Sequence, residues 1–210
     1  MKRIIWKKNR VISIEVRTGL FVLAQMDINP YLIFYNVFQC NNDMYSIDLE
    51  KVSVLFYTAV TKQFLHNSNI TIRNDVKPLL DYSPPIYWIK KDIVGHRNIT
   101  FWAGTQNEIT ISSLGQGGGQ LLKKDKQEVE IVMDNIPFTD EKVINSFELT
   151  NVRTYPELCE RLYLCYKFGK NIDPLKNITF NQDITIDYMM YLRILNGSID
   201  KEEWISLPIN

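Results

Sequence analysis

Few side chains on this chain could carry covalent or metal chemistry. The histidines are His66 and His96, and the cysteines are Cys40, Cys159 and Cys165. Neither histidine has a second histidine, a cysteine pair or a glutamate at ligand spacing, and no Cys-x-x-Cys occurs, so no metal or other cofactor is expected. A serine nucleophile would need a Gly-x-Ser-x-Gly turn, which the chain lacks. A cysteine hydrolase using Cys159 or Cys165 with a distant His96 is the remote enzymatic alternative. Both cysteines sit in an apolar helical stripe, where a thiol packs more often than it attacks. The expectation is a protein that is not an enzyme.

Two further stretches bear on binding. Ser113 to Gly119 is glycine-rich, but no Gly-Lys-Ser/Thr follows and no dinucleotide fingerprint fits, so it reads as a loop rather than a phosphate cradle. From Gln127 to Asn135, Glu128, Glu130 and Asp134 occupy even positions while Val129, Ile131 and Met133 occupy odd ones. That alternation predicts a strand with one core face and one acidic face, extended by Asp140 and Glu141. Such a face is either plain solvated surface or a patch that meets a basic partner. Glu128, Glu130, Asp134, Asp140 and Glu141 are the candidate binding residues.

The elements that must position them are mostly strands. In Val11 to Arg17, Ile12, Ile14 and Val16 alternate with Ser13, Glu15 and Arg17, predicting a strand with one wet face. Thr18-Gly19 reverses the chain into Leu20 to Met26, and Asp27 to Pro30 turns it again into the apolar run Tyr31 to Phe38, expected to be central and buried on both faces. Tyr45 to Asp48 and Val52 to Thr61 continue the meander, followed by short strands near Ile70, Ile86, Ile99 and Glu108. The period then becomes helical: Asp140 to Leu149, a helix opened by a capping box at Thr154-Tyr-Pro-Glu157 and closed at Gly169, Ile184 to Leu195, and a last turn at Asp200 to Glu203. The fold class expected is α+β: a curled antiparallel meander, open or barrel-like, over residues 1–138 with a helical part over 139–210 docked on it, all in one domain.

Composition fits this reading. The chain has 210 residues, 45% hydrophobic and 23% charged, with 24 basic and 24 acidic side chains and zero formal net charge, which argues against a broad basic face for nucleic acid. No apolar run is long enough for a membrane span or a secretion signal, so a cytoplasmic protein without disulfides is expected.

Val11 to Met26 followed by Pro30 to Val37 resembles the opening of the bacterial immunity protein 26 family. Gly19 matches its first turn, Phe21 the aromatic return strand, Ala24-Gln25 the small-residue pair and Phe34-Tyr35-Asn36 the third strand, while Ile99 to Gly104 is similar to a later tryptophan strand. The resemblance implies a cytosolic immunity protein of a polymorphic or contact-dependent toxin system. Such a protein binds a cognate toxin domain, often a nuclease, and occludes its active site or substrate channel without catalytic residues. The partner implied is that protein, with no direct nucleic acid and no membrane. The alternative from another class is a nucleic-acid or small-ligand module with Trp88 and Trp102 as stacking platforms.

Overall fold

The computed structural model describes residues 4–40, 47–92, 96–106, 108–114, 117–125 and 128–209. The first elements are β1 (Val11–Arg17), β2 (Leu20–Met26), β3 (Tyr31–Gln39), β4 (Val54–Val60), α1 (Lys62–Asn67) and β5 (Ile70–Ile72). Next come β6 (Tyr87–Lys91), β7 (His96–Phe101), β8 (Ile109–Leu114), β9 (Gly119–Asp125) and β10 (Glu128–Met133). The rest are α2 (Glu141–Ser146), β11 (Glu148–Leu149), β12 (Val152–Arg153), α3 (Glu157–Phe168), α4 (Pro174–Thr179), α5 (Met189–Leu195) and α6 (Lys201–Ser206). The fold is α+β. Its residues form two compact units, one of 1–83, 152–172 and 198–210, the other of 84–151 and 173–197.

In the first unit a six-stranded sheet runs in the order β12-β4-β3-β2-β1-β5. It is an open sheet, not a closed barrel: β1 to β4 form the antiparallel meander, β5 adds to β1, and β12 lies parallel to β4. The β1–β2 reversal places Gly19 at φ +83°, where a side chain would be strained. Ile12, Ile14 and Val16 are buried, as alternation requires, yet Ser13 and Arg17 are buried too and Glu15 is half-buried. Arg17 is covered by α3, its guanidinium 3.8 Å from the Tyr163 ring and its Nη2 donating to Glu160 Oε2 at 2.6 Å, and a bulge at Val16, which leaves Arg17 opposite Leu20, takes it out of the alternation with Ser13 and Glu15. β3 is central and buried from Leu32 to Tyr35, but Asn36 to Gln39 emerge towards solvent. A polar clamp crosses this core: Tyr35 donates to Gln25 Oε1 (3.0 Å), and the Gln25 amide bonds both Leu79 N and Leu79 O (2.8 Å each), so the buried amide leaves little unsatisfied.

The second unit holds a four-stranded sheet in the order β10-β9-β6-β11 and the hairpin β7-β8. Gly119 opens β9 where the β6 backbone passes so closely that a Cβ would sit 2.6 Å from the Lys90 carbonyl oxygen, so part of the glycine-rich stretch is there for strand contact. Residues 115–116 of that stretch lie outside the described residues, as do 45–46 of the strand expected at Tyr45 to Asp48.

Several helical boundaries differ from expectation, each for a tertiary reason. The helix expected over Asp140 to Leu149 stops at Ser146, because Lys176 Nζ caps the carbonyls of Ile144 (3.1 Å) and Phe147 (3.0 Å) and Leu149 pairs in parallel with Ile89. The capping box at Thr154 does not form: the Thr154 hydroxyl bonds Thr61 Oγ1 (2.9 Å) and Glu157 accepts from Arg153 Nη1 (2.8 Å), leaving Pro156 at the cap. α3 buries Leu158, Leu162, Leu164 and Cys165 and ends at Gly169 with φ +64°, although Phe168 is exposed. Ile184 to Leu195 divides into a 3-10 turn at Ile186–Tyr188 and α5. α1 and α4 are not legible in the sequence, being six residues each without a clear apolar period.

Phe34 is fully buried against Phe56, with ring centroids 4.9 Å apart. Phe34→Ala is expected to cost about 3–5 kcal/mol in a denaturant titration, and a loss under about 1 kcal/mol would contradict this packing.

Candidate functional site

β10 is an edge strand that pairs with β9 alone among the described residues. Every position from Glu128 to Val132 is exposed, including Val129 at 61%, Ile131 at 54% and Val132 at 48%. The expected core face at Val129 and Ile131 is therefore solvent-facing; of that set Met133 alone is partly covered. An edge strand of this kind leaves half its backbone amides and carbonyls free to pair with another chain.

Register decides where the acids point. Glu128 lies opposite Asp125, Val129 opposite Lys124, Glu130 opposite Lys123 and Ile131 opposite Leu122, but Met133 lies opposite Leu121. A bulge at Val132 thus inserts one residue and reverses the facing of Met133 and Asp134. Glu128 and Glu130 share a face with Asp125 and Lys123. Asp134 belongs to the other face, where its Oδ1 accepts from Gln120 Nε2 at 2.6 Å. The even-position count that joined Glu128, Glu130 and Asp134 fails at the bulge, a backbone feature with no glycine or proline to announce it.

Asp140 and Glu141 separate as well. The Asp140 carboxylate caps α2 by accepting from Val143 N at 3.1 Å, which ties it to the fold, whereas Glu141 is exposed in the first turn. The face that remains for a partner is acidic: Glu128, Glu130 and Asp125 against Lys123, with exposed Val129 and Ile131 on the reverse side of the same strand.

The chemistry-bearing residues fall elsewhere. Cys159 and Cys165 are buried, and burial pushes the Cys159 thiol up to about 12, far from a reactive thiolate at neutral pH. Cys165 is packed on the Ile172 backbone, its sulfur accepting from Ile172 N at 3.3 Å. His66 is exposed with Nδ1 on Asn67 Oδ1, and the His96 side chain lies outside the described residues. No cluster of metal-ligating side chains occurs among the described residues. Trp88 and Trp102 are buried at 5% and 9% exposure; Trp88 donates to the Pro85 carbonyl (3.0 Å), so neither indole offers an open ring face to a base.

A second constellation has no signature in the sequence. Within the first unit Glu15, Arg17, Asn69, Tyr155, Trp204 and Ile205 line a cleft of about 210 Å³. Its residues come from four separate stretches of chain, so spacing could not reveal it. The one hint is the placement of Glu15 and Arg17 on the polar side of β1.

The chain matches, over residues 1–185, the family described as "Domain of unknown function (DUF8309)". It belongs to that family. No curated protein matches the chain, and no solved structure does. The DUF8309 match runs from β1 through α4 and takes in both the acidic edge and most of the cleft lining, with Trp204 and Ile205 beyond it.

The two roles assigned to the acids separate by mutation. Asp140→Ala is expected to destabilise the protein by about 1 kcal/mol through loss of the α2 cap, while Glu128→Ala leaves the unfolding midpoint in urea unchanged. Equal midpoints for the two variants would contradict the assignment.

Proposed function

We propose that this protein is a non-catalytic binding protein that captures a basic protein partner on the β10 edge and, as the resemblance to immunity proteins suggests, neutralises a toxin domain by covering its active site or substrate channel. The observation that carries the reading is the exposure of β10 on both faces, with Glu128 and Glu130 on one and Val129 and Ile131 on the other. An incoming strand would gain backbone hydrogen bonds at the open edge, salt bridges to the acids and apolar burial on the reverse face. Glu128 and Glu130 oppose pairing with a like-charged strand and favour a basic one, the charge character of a protein that grips phosphates. The site needs no catalytic residue, and the buried thiols fit that role better than a hydrolytic one.

The test takes the protein encoded immediately upstream of this gene as the candidate toxin domain. Wild type is expected to restore growth to cells expressing that domain and to bind it in vitro. Glu128→Lys with Glu130→Lys should slow association about tenfold or more at low salt and reduce its salt dependence, without lowering the thermal midpoint. An unchanged association rate in the folded variant would remove β10 as the site. Failure of wild type both to bind and to protect would overturn the function.

A further inference from the structure

The cleft in the first unit has a charge arrangement that selects its ligand, independently of the reading of β10. Arg17 is committed: its side chain is 6% exposed, Nη2 donates to Glu160 Oε2 at 2.6 Å, Nη1 reaches the Pro208 carbonyl at 3.4 Å, and the guanidinium carbon lies 3.8 Å from the centre of the Tyr163 ring. With that charge balanced by Glu160, the uncompensated charge of the lining is the Glu15 carboxylate. Its Oε1 accepts from Gly19 N at 2.8 Å and its Oε2 from Asn69 Nδ2 at 2.6 Å, both neutral donors, and no lysine or arginine pairs with it among the described residues. Each oxygen keeps capacity for a second hydrogen bond. Beside it stand half-buried Tyr155 and buried Trp204, edge to face with centroids 6.2 Å apart and held by the indole Nε1 donating to the Tyr155 hydroxyl at 2.7 Å; the Arg17 guanidinium already lies 5.7 Å from the centre of the Trp204 ring, so the ring left to a ligand is that of Tyr155.

We infer that this cleft is a binding site for a guanidinium or primary ammonium group, with Glu15 as counter-ion and the Tyr155 ring as its aromatic wall. A planar guanidinium matches the two oxygens of Glu15 as a fork, and an aromatic wall favours a cation over a neutral group. The volume is below the range of sites that enclose whole metabolites, so the site takes a head group. That head group comes either from a small free cation or from an arginine side chain of a protein.

Titration of the full chain with agmatine, N-acetylarginine amide, its neutral citrulline analogue and acetate, followed at the indole N–H resonance of Trp204, tests the inference. Trp204→Phe assigns the resonance. Both guanidinium compounds should bind in the millimolar range, the citrulline analogue and acetate should not, and Glu15→Gln should weaken binding about ten- to a hundredfold. An arginine-containing peptide that binds at least tenfold tighter than agmatine assigns the site to a protein side chain; agmatine binding as well or better assigns it to a free cation. Should Glu15→Gln fail to fold, discrimination against citrulline and loss of wild-type binding with added salt decide the matter. No shift with either guanidinium compound, equal binding of citrulline, or undiminished binding in a folded Glu15→Gln overturns the inference.

Discussion

The ion pair between Arg17 and Glu160 is the constraint on which the first unit turns. β1 buries Ser13 and Arg17 as well as its apolar residues, and α3 meets it at Arg17, which a bulge at Val16 takes out of the alternation with Ser13 and Glu15. A polar strand face can be buried only if the covering helix supplies matching groups. α3 does so, burying Glu157, Glu160 and Arg161 along with its leucines. Glu160 receives Arg17, Glu157 receives Arg153, and Arg161 donates to the Ile172 carbonyl at 3.0 Å and to Asn171 Oδ1 at 2.9 Å while lying 3.9 Å from the centre of the Phe56 ring. Burial pushes the Glu160 carboxyl up, and Arg17 pulls it back only in part. A pair with that balance adds little net stability over an apolar contact but makes any other seating of the helix costly, since each partner left alone would be a bare charge in the core.

This use of charge bears on function. Arg17 of β1 and the buried charges Glu157, Glu160 and Arg161 of α3 are engaged in contacts within the fold, so their presence is no sign of catalysis. Charges that remain at the surface are then informative by position. On β10 two acids stand beside exposed valine and isoleucine on an edge strand paired on one side only among the described residues, a combination that water alone does not require. At the cleft, Glu15 meets only neutral donors among the described residues while its neighbour Arg17 is paired with Glu160. Both places are acidic within a chain of zero net charge.

Alternation and turn chemistry made the meander readable, because Ile12, Ile14 and Val16 and the reversal at Gly19 report local forces that the folded chain keeps. Where a distant segment intervenes, the same rules fail. Alternation in β1 predicts Arg17 on a wet face, whereas the bulge at Val16 and the arrival of α3 bury it. The capping box at Thr154 is sound local chemistry, yet Thr61 and Arg153 displace it from outside the helix. The acid set was legible as residues and illegible as a surface: the Val132 bulge turns Asp134 away, Asp140 goes to a helix cap, and burial of Val129 and Ile131 was assumed where an edge leaves them open. Beyond the polar residues Glu15 and Arg17 the cleft is not legible in the sequence, since Glu15, Asn69, Tyr155 and Trp204 meet only after the chain has folded.

That the charges of β1 and α3 serve the fold as coupled pairs is tested most directly by a double-mutant cycle on Arg17 and Glu160. Arg17→Ala and Glu160→Ala should each cost about 3–5 kcal/mol in urea unfolding, and the double variant should cost no more than either, because each single change strands the other charge. Single losses below about 1 kcal/mol that simply add would show that the pair does not hold α3 on β1, and would contradict the account.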